Sequence, residues 1–162
     1  MNSPADRDRD PAGRPRNSRP RDGLGRPLPK NTAGEPRVPD DLLLPPAESL
    51  ALAEEMLLAG RPFHAHEVLE ASWKAAPPAE RDFWQGLAQL AVGLTHARRG
   101  NAAGAVTLLQ RAAARIRPYA PADPYGVPVA ALAGAAEALA TRIGRHGLDT
   151  LPPAALDLRL RR

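Results

Sequence analysis

Beyond the pair Pro45-Pro46, apolar residues recur at steps of three and four, which is the spacing of one face of an α-helix. Glycine and proline interrupt this pattern, and each interruption marks a predicted helix end. No stretch alternates between apolar and polar residues at period two, as a half-buried strand would. The pattern therefore predicts an all-α fold, a compact antiparallel bundle of about five helices, placed at 47–59, 62–76, 79–99, 102–117 and 129–145.

The segments outside these helices receive separate predictions. Residues 1–41 alternate Arg, Asp, Pro and Gly with almost no large apolar side chains, so they cannot bury enough surface to offset the entropy of ordering. We predict a disordered tail there, followed by a single helical domain over residues 42–162. Residues 118–128 are predicted to form a loop, and residues 151–162 to be extended or loosely packed.

Composition narrows the class of protein. The chain has 162 residues, of which 43% are apolar but only 4% aromatic, so alanine and leucine must supply most of the core. It contains no cysteine, which excludes disulfides and cysteine-bound zinc and favours a reducing compartment. There is no signal-peptide pattern, and no apolar run approaches the roughly 18 residues of a membrane span. These features predict a cytoplasmic protein that does not bind a membrane.

The net charge of +4 is spread evenly along the chain. Residues 1–41 contain nine basic and seven acidic side chains, and residues 42–162 contain thirteen and eleven. Neither part is a strongly basic arm, so we expect no dedicated nucleic-acid site.

Polar side chains follow one face of the second predicted helix. His66, Glu70 and Trp73 are spaced i, i+4 and i+7 and therefore share that face, whereas Glu67 is rotated by about 100° from His66. An imidazole and a carboxylate are costly to bury unless they meet partners. The third predicted helix carries a second polar stripe. We therefore predict one polar pocket between the two helices, formed from His66, Glu67, Glu70, Trp73, Gln85, Gln89, His96 and Asn101.

These residues belong to a longer pattern with a specific order and spacing. Along the chain it reads His66-Glu67-x-x-Glu70-x-x-Trp73, Phe83-x-x-Gly86-Leu87-x-Gln89-Leu90-Ala91 and His96-x-x-x-Gly100-Asn101-x-x-Gly104-Ala105. With this pattern the chain resembles, over residues 47–116, the bacterial and archaeal family called domain of unknown function 309. The resemblance implies a small, entirely α-helical fold and supports the choice of site residues, but it implies no activity.

A metal site is one interpretation of the polar residues. His66-Glu67-x-x-Glu70 resembles the zinc-binding motif His-Glu-x-x-His with its second histidine replaced. Together with His96, the pair His66 and Glu70 would form a two-histidine, one-carboxylate site for zinc, iron or manganese. No further ligand is apparent, so a divalent metal is considered but not favoured.

Catalysis without a metal is a second interpretation. Glu70 would orient His66 and raise its pKa, giving a general acid–base pair for a hydrolase-type enzyme. The nearest hydroxyl groups in sequence belong to Ser72 and Thr95, and neither stands out as a nucleophile. A third interpretation makes residues 86–118 a tetratricopeptide-like helical hairpin that binds a peptide.

The interpretation we favour is a non-catalytic binding or scaffold domain in which the polar residues organise helix packing. A homodimer or another protein partner would use the alanine-rich face at residues 130–140. We expect Trp73 and Trp84 to anchor the core or its rim, and His64 and His146 to lie at the surface. The glycines expected to permit close helix approach are Gly86, Gly93 and Gly104.

Overall fold

The computed structural model describes residues 43–161 of the chain. Within this range there is no β-strand, and the all-α prediction is confirmed. The five α-helices are α1 (Pro46–Leu58), α2 (Pro62–Ala75), α3 (Arg81–Arg98), α4 (Ala102–Ile116) and α5 (Val129–His146). Single turns of 3-10 helix occur at Pro78–Glu80, Arg117–Tyr119, Pro124–Gly126 and Pro153–Leu156. The tail predicted at residues 1–41 lies outside the described range.

Proline and glycine set the helix ends. α1 and α2 begin at Pro46 and Pro62, at the position of a helix where a missing N–H group costs least. Between α3 and α4, Gly100 adopts a left-handed φ of 81° that favours glycine. The side-chain Oδ1 of Asn101 then accepts a hydrogen bond from the Gly104 N–H at 3.0 Å, which caps the start of α4.

Each helix packs mainly on its neighbours in the sequence, and the most extensive contact joins α3 to α4. Glycine permits this close approach. A Cβ atom added to Gly86 would lie 2.4 Å from the Cγ2 of Ile116, and one added to Gly93 would lie 3.0 Å from the Cγ of Leu109. One continuous apolar core results, to which all five helices contribute. No helix within residues 43–161 is long and apolar enough to cross a membrane.

The segment after α5 packs against the core, so the prediction of a loosely packed end was wrong. Leu160 is fully buried and Leu156 is nearly so. Glu54 of α1 accepts hydrogen bonds from the backbone N–H groups of Leu160 and Arg161, at 3.0 and 2.9 Å. Glu54 is itself buried, and its carboxylate satisfies those backbone donors.

His64 is also buried, contrary to its predicted surface position, whereas His146 is exposed as expected. His64 shares a face of α2 with Val68 and Ser72, which are buried as well. That face is covered by neighbouring elements, and residue polarity alone does not reveal which face is covered. Trp84 lies in the core and Trp73 is half-buried against it.

Candidate functional site

A small cavity of about 110 Å³ lies between α2 and α3, where the sequence predicts a polar pocket. The described residues that line it all belong to these two helices, and Ala88 and Val92 form its apolar part. The other lining residues, called the polar cluster below, are His66, Glu70, Trp73, Gln85 and Gln89. The two helical stripes therefore do face each other.

His66 and Glu70 form the α2 side of the polar cluster. The Nε2 of His66 lies 3.6 Å from the Oε2 of Glu70, whose Oε1 lies 3.3 Å from the Nζ of Lys74. Burial lowers the pKa of His66, and it outweighs the opposing effect of Glu70. Glu70 does act to raise this pKa, as the sequence predicts, but burial has the larger effect and the pKa is lowered overall. The imidazole is therefore favoured in its neutral form.

An arginine from α4 is the partner of both glutamines. The Nε of Arg115 donates to the Oε1 of Gln89 at 3.1 Å, and its Nη1 donates to the Oε1 of Gln85 at 2.9 Å. The same Nη1 donates to the Oδ1 of Asp82, also at 2.9 Å. Arg115 was not among the predicted site residues, because the polar stripes of the second and third predicted helices do not indicate which α4 side chain they meet. One guanidinium group thus ties α3 to α4 through three side chains.

The remaining predicted site residues lie outside this cavity. The Nδ1 of His96 is 3.1 Å from the Nδ2 of Asn101, the residue that caps α4. His96 lies one helical turn after Val92, which is the last α3 residue in the cavity wall. Glu67 is half-buried and does not line the cavity.

The metal-binding set of His66, Glu70 and His96 is not assembled. No group of three His, Cys, Asp or Glu side chains within residues 43–161 is arranged to hold a metal ion. The periodicity of α3 places His96 on the same helix face as Gln85 and Gln89. It does not specify how far along α2 that part of α3 lies, so it cannot show whether His96 is next to His66.

Both hydroxyl groups considered as nucleophiles are engaged elsewhere. Ser72 donates a hydrogen bond to the Oγ of Ser49 at 3.0 Å, and both residues are buried. Thr95 donates to the carbonyl oxygen of Ala91, one turn earlier in α3, at 2.8 Å. Neither hydroxyl is directed at His66, so the pairing of nucleophile and base that covalent catalysis requires is not formed by these residues.

A larger hollow, called the apolar groove below, opens near the first described residues. It has a volume of about 520 Å³ and lies between the start of α1, the end of α2 and the turn that precedes α5. This volume is within the range of ordinary ligand sites. Its lining residues are Leu43, Leu44, Pro45, Pro46, Ser72, Ala75, Ala76, Pro77, Glu80, Trp84 and Tyr125.

Glu80 alone carries a charge among the described residues that line the apolar groove. Its Oε1 accepts hydrogen bonds from the Nε1 of Trp84 at 3.3 Å and from the hydroxyl of Tyr125 at 2.5 Å. The hydrogen bond to Glu80 raises the pKa of Tyr125, with smaller contributions from burial and from the charge of Glu80. The Trp84 and Tyr125 ring centroids are 5.8 Å apart. One carboxylate therefore holds two aromatic rings at the groove wall.

Tyr125 lies in a turn with an unusual backbone conformation. Tyr125 and Asp123 have left-handed φ angles of 54° and 41°, a region that residues other than glycine rarely occupy. The Oδ1 of Asp123 accepts a hydrogen bond from the Val129 N–H at 3.1 Å, which ties the turn to the start of α5. Strained turns of this kind concentrate at ligand-binding sites.

Exposed apolar surface is concentrated at the apolar groove. Three large apolar or aromatic side chains within residues 43–161 are notably exposed: Leu43 at 60%, Tyr125 at 47% and Leu58 at 38%. The two most exposed line the groove. Contiguous exposed apolar surface beside a polar group is typical of an interaction site. The sequence predicts a loop at residues 118–128, which contains Tyr125, but it does not indicate that this loop meets Leu43.

The alanine-rich face predicted for protein contact is divided between core and surface. Ala133, Ala136 and Ala140 point into the core, whereas Ala130, Ala131 and Ala138 are exposed. The exposed part of α5 also carries Glu137, which pairs with Arg117 at 2.6 Å. The helix therefore presents a mixed surface of small and charged residues.

Comparisons with known proteins agree with the resemblance drawn from the sequence pattern. Residues 50–108 match the family described as Domain of unknown function (DUF309). The uncharacterized protein YpuF of Bacillus subtilis (strain 168) is 52% identical to this chain over 48 residues, a match that covers 29% of this chain and 28% of YpuF. No solved structure matches the chain. The matched family segment contains the whole polar cluster, but Leu43 and Tyr125 of the apolar groove lie outside it.

Proposed function

We propose that this chain, whose residues 50–108 match a bacterial domain of unknown function, acts as a non-catalytic helical binding domain through its apolar groove. The observation that carries the proposal is the composition of the groove wall. It combines exposed Leu43 and Tyr125, the ring of Trp84 and the carboxylate of Glu80. Binding sites of moderate specificity have this form, a mostly apolar concave surface with few polar groups.

The chemistry of the wall favours an extended ligand that contains proline and a basic residue. Proline-rich segments in the polyproline II conformation bind grooves lined by Trp and Tyr, since they lose little entropy on binding. Glu80 supplies the negative charge that a Lys or Arg side chain would pair with. Among the described residues that line the groove, none is basic and would repel such a ligand.

The polar cluster has a packing role in this proposal. Arg115 links α4 to Gln85 and Gln89 of α3, and these glutamines face His66 and Glu70 of α2. We propose that the bonds between α3 and α4, together with the packing of α2 on the same cavity, help to position the α2 end and the α3 start that form the groove walls.

The location and partner class belong to the same proposal. The lack of cysteine in all 162 residues is compatible with a reducing cytoplasm. The even distribution of charge supports a protein or peptide partner over a nucleic acid. This role uses the apolar groove, and the surface of the tetratricopeptide-like α3–α4 hairpin is not needed for it.

An acid–base enzyme is the second candidate, and one observation favours it. The Nδ1 of His66 is buried and makes no hydrogen bond within the described part of the chain. A neutral imidazole with a free nitrogen beside a cavity is suited to accept a proton from a small substrate. Loss of a hydrolytic activity in a His66→Gln variant, with the fold intact, would establish this alternative.

The binding proposal is tested by nuclear magnetic resonance on the full-length chain. Trp73 and Trp84 are its only tryptophans, so two indole N–H signals report separately on the polar cluster and the apolar groove. A short synthetic peptide of proline and arginine is titrated to millimolar concentration, beside a control peptide with glycine in place of proline. We expect the Trp84 signal to shift with the first peptide and the Trp73 signal to stay in place.

A matched variant tests the role of the carboxylate. Glu80→Gln keeps an acceptor for Trp84 and Tyr125 but removes the charge, and we expect it to weaken peptide binding about tenfold. No shift of Trp84 with any peptide would overturn the proposal. A shift of the Trp73 indole signal alone would indicate that the peptide binds at the polar cluster, and it would favour the second candidate.

A further inference from the structure

We infer that residues 23–34 of this same chain occupy the apolar groove and compete there with the partner. The inference rests on the proposed function, since it names one ligand of the same groove. It would make the N-terminal segment an autoinhibitory element of the binding domain.

The apolar groove opens next to the N-terminal segment in the chain. Leu43 and Leu44, the first described residues, form part of its wall. The preceding segment of the chain is therefore attached directly at the rim. Leu28 precedes Leu43 by 15 residues, and a chain of that length spans up to about 50 Å. Residues 23–34 can consequently reach any part of the groove.

Residues 23–34 are also chemically complementary to the apolar groove. Residues 23–34 read Gly-Leu-Gly-Arg-Pro-Leu-Pro-Lys-Asn-Thr-Ala-Gly, and they contain two leucines, two prolines, one arginine and one lysine but no acidic residue. The groove is complementary to this segment, since its described lining residues are mostly apolar or aromatic and Glu80 is the one charged residue among them. A proline would lie against the exposed ring of Tyr125, and Arg26 or Lys30 would pair with Glu80.

A comparison within the N-terminal segment favours residues 23–34. Residues 11–21 are also free of acidic side chains and contain proline and arginine, but they lack any large apolar side chain. An apolar groove gains most from a ligand that buries apolar surface. Leu24 and Leu28 supply such surface, which makes residues 11–21 a natural control.

Covalent attachment makes this contact effective even when its intrinsic affinity is low. A short tether gives an effective concentration in the millimolar range. A groove that is free only a tenth of the time binds a partner about tenfold more weakly. Displacement of residues 23–34 would thus be required for tight partner binding.

The test compares three forms of the full-length chain. One is the wild type, and the second carries Pro27→Ser, Leu28→Ser and Pro29→Ser, which preserve chain length and charge. The third is a matched control with Pro11→Ser, Pro15→Ser and Pro20→Ser. A synthetic peptide with the sequence of residues 23–34 is titrated into each while the indole N–H signals of Trp84 and Trp73 are recorded.

We expect the Trp84 signal of the second form to differ from that of the wild type and to return towards it as peptide is added. The peptide should bind the second form about tenfold more tightly than the wild type. The control form should behave as the wild type does, and the Trp73 signal should be the same in all three.

Other outcomes overturn the inference in distinguishable ways. If the peptide shifts Trp84 equally in all three forms, the groove binds such peptides but residues 23–34 do not occupy it, and the proposed function stands alone. If no peptide shifts Trp84 in any form, both the inference and the proposed function fall. If the wild-type Trp84 signal changes with protein concentration, the segment of a second copy is the occupant and the intramolecular contact is refuted.

Discussion

The Oε2 atom of Glu54 in α1 accepts a hydrogen bond from the backbone N–H of Leu160, a residue 106 positions later in the chain, at 3.0 Å. The same oxygen accepts from the N–H of Arg161, and the Arg161 guanidinium lies 3.3 Å from the Oε1 of Glu54. A single buried carboxylate therefore anchors the C-terminal segment to the first helix. The side chain of Leu160 can then fill the core without leaving its own N–H group unsatisfied.

Glu54→Ala is expected to lower the free energy of unfolding by about 3 kcal/mol, because it leaves buried N–H donors without an acceptor. The adjacent Glu55→Ala is the control, since Glu55 is exposed, and its effect should stay within about 0.5 kcal/mol. Urea denaturation of both variants gives the two values. Equal stabilities would show that the contact between Glu54 and the C-terminal segment does not contribute.

Arg115→Lys should destabilise the protein by about 1 kcal/mol. Lysine keeps the charge but cannot donate simultaneously to Gln85, Gln89 and Asp82 in the geometry of a guanidinium group. Arg111→Lys, at an exposed position of the same helix, is the matched control. Thermal unfolding of the two variants should separate them. If they unfold together, the link between α3 and α4 does not depend on the guanidinium group.

The glycines of α3 and α5 should respond oppositely to alanine. Gly86→Ala places a Cβ atom 2.4 Å from Ile116 Cγ2, and such overpacking costs about 1–3 kcal/mol. Gly134→Ala meets no atom within 4 Å, so the gain in helix propensity should stabilise the protein by up to about 1 kcal/mol. Both values come from chemical denaturation. A stabilising Gly86→Ala would mean that α3 and α4 can move apart at little cost.

Stability should fall as the pH is lowered through the ordinary histidine pKa of 6.5, in part because of His66. Burial lowers the pKa of His66 in the folded state, so the unfolded chain binds more protons below this pH. The loss begins near pH 6.5 and levels off below the folded pKa. The groups that face the imidazole are Glu70 and Lys74 on α2 and the glutamines of α3.

His66→Gln should therefore make the dependence of stability on pH shallower between about pH 7 and pH 5. His146→Gln, which removes an exposed histidine, is the control variant. Denaturation midpoints across this range compare both variants with the wild type. A steeper dependence in His66→Gln would contradict the lowered pKa of His66.

The helices and the residues that end them could be predicted from the sequence. Their signals are local, because a period near 3.6, a proline at a first turn or a glycine such as Gly100 acts within a few residues. The same periodicity placed His66 and Glu70 on one stripe and Gln85 and Gln89 on another. Short connections make neighbouring helices antiparallel, so the meeting of these stripes was also within reach of the sequence.

Only the tertiary structure determines which helix faces, and which positions along the helices, come into contact. Helix register and rotation determine that His64 and Glu54 are buried and that His96 lies apart from His66. They also determine that Arg115 is the partner of both glutamines. The apolar groove follows from the fold in the same way, since Leu43, Glu80 and Tyr125 come from three distant turns. Local pattern specifies conformation because its energies act within one helix, whereas these contacts are selected by the packing of the whole core, to which every element contributes.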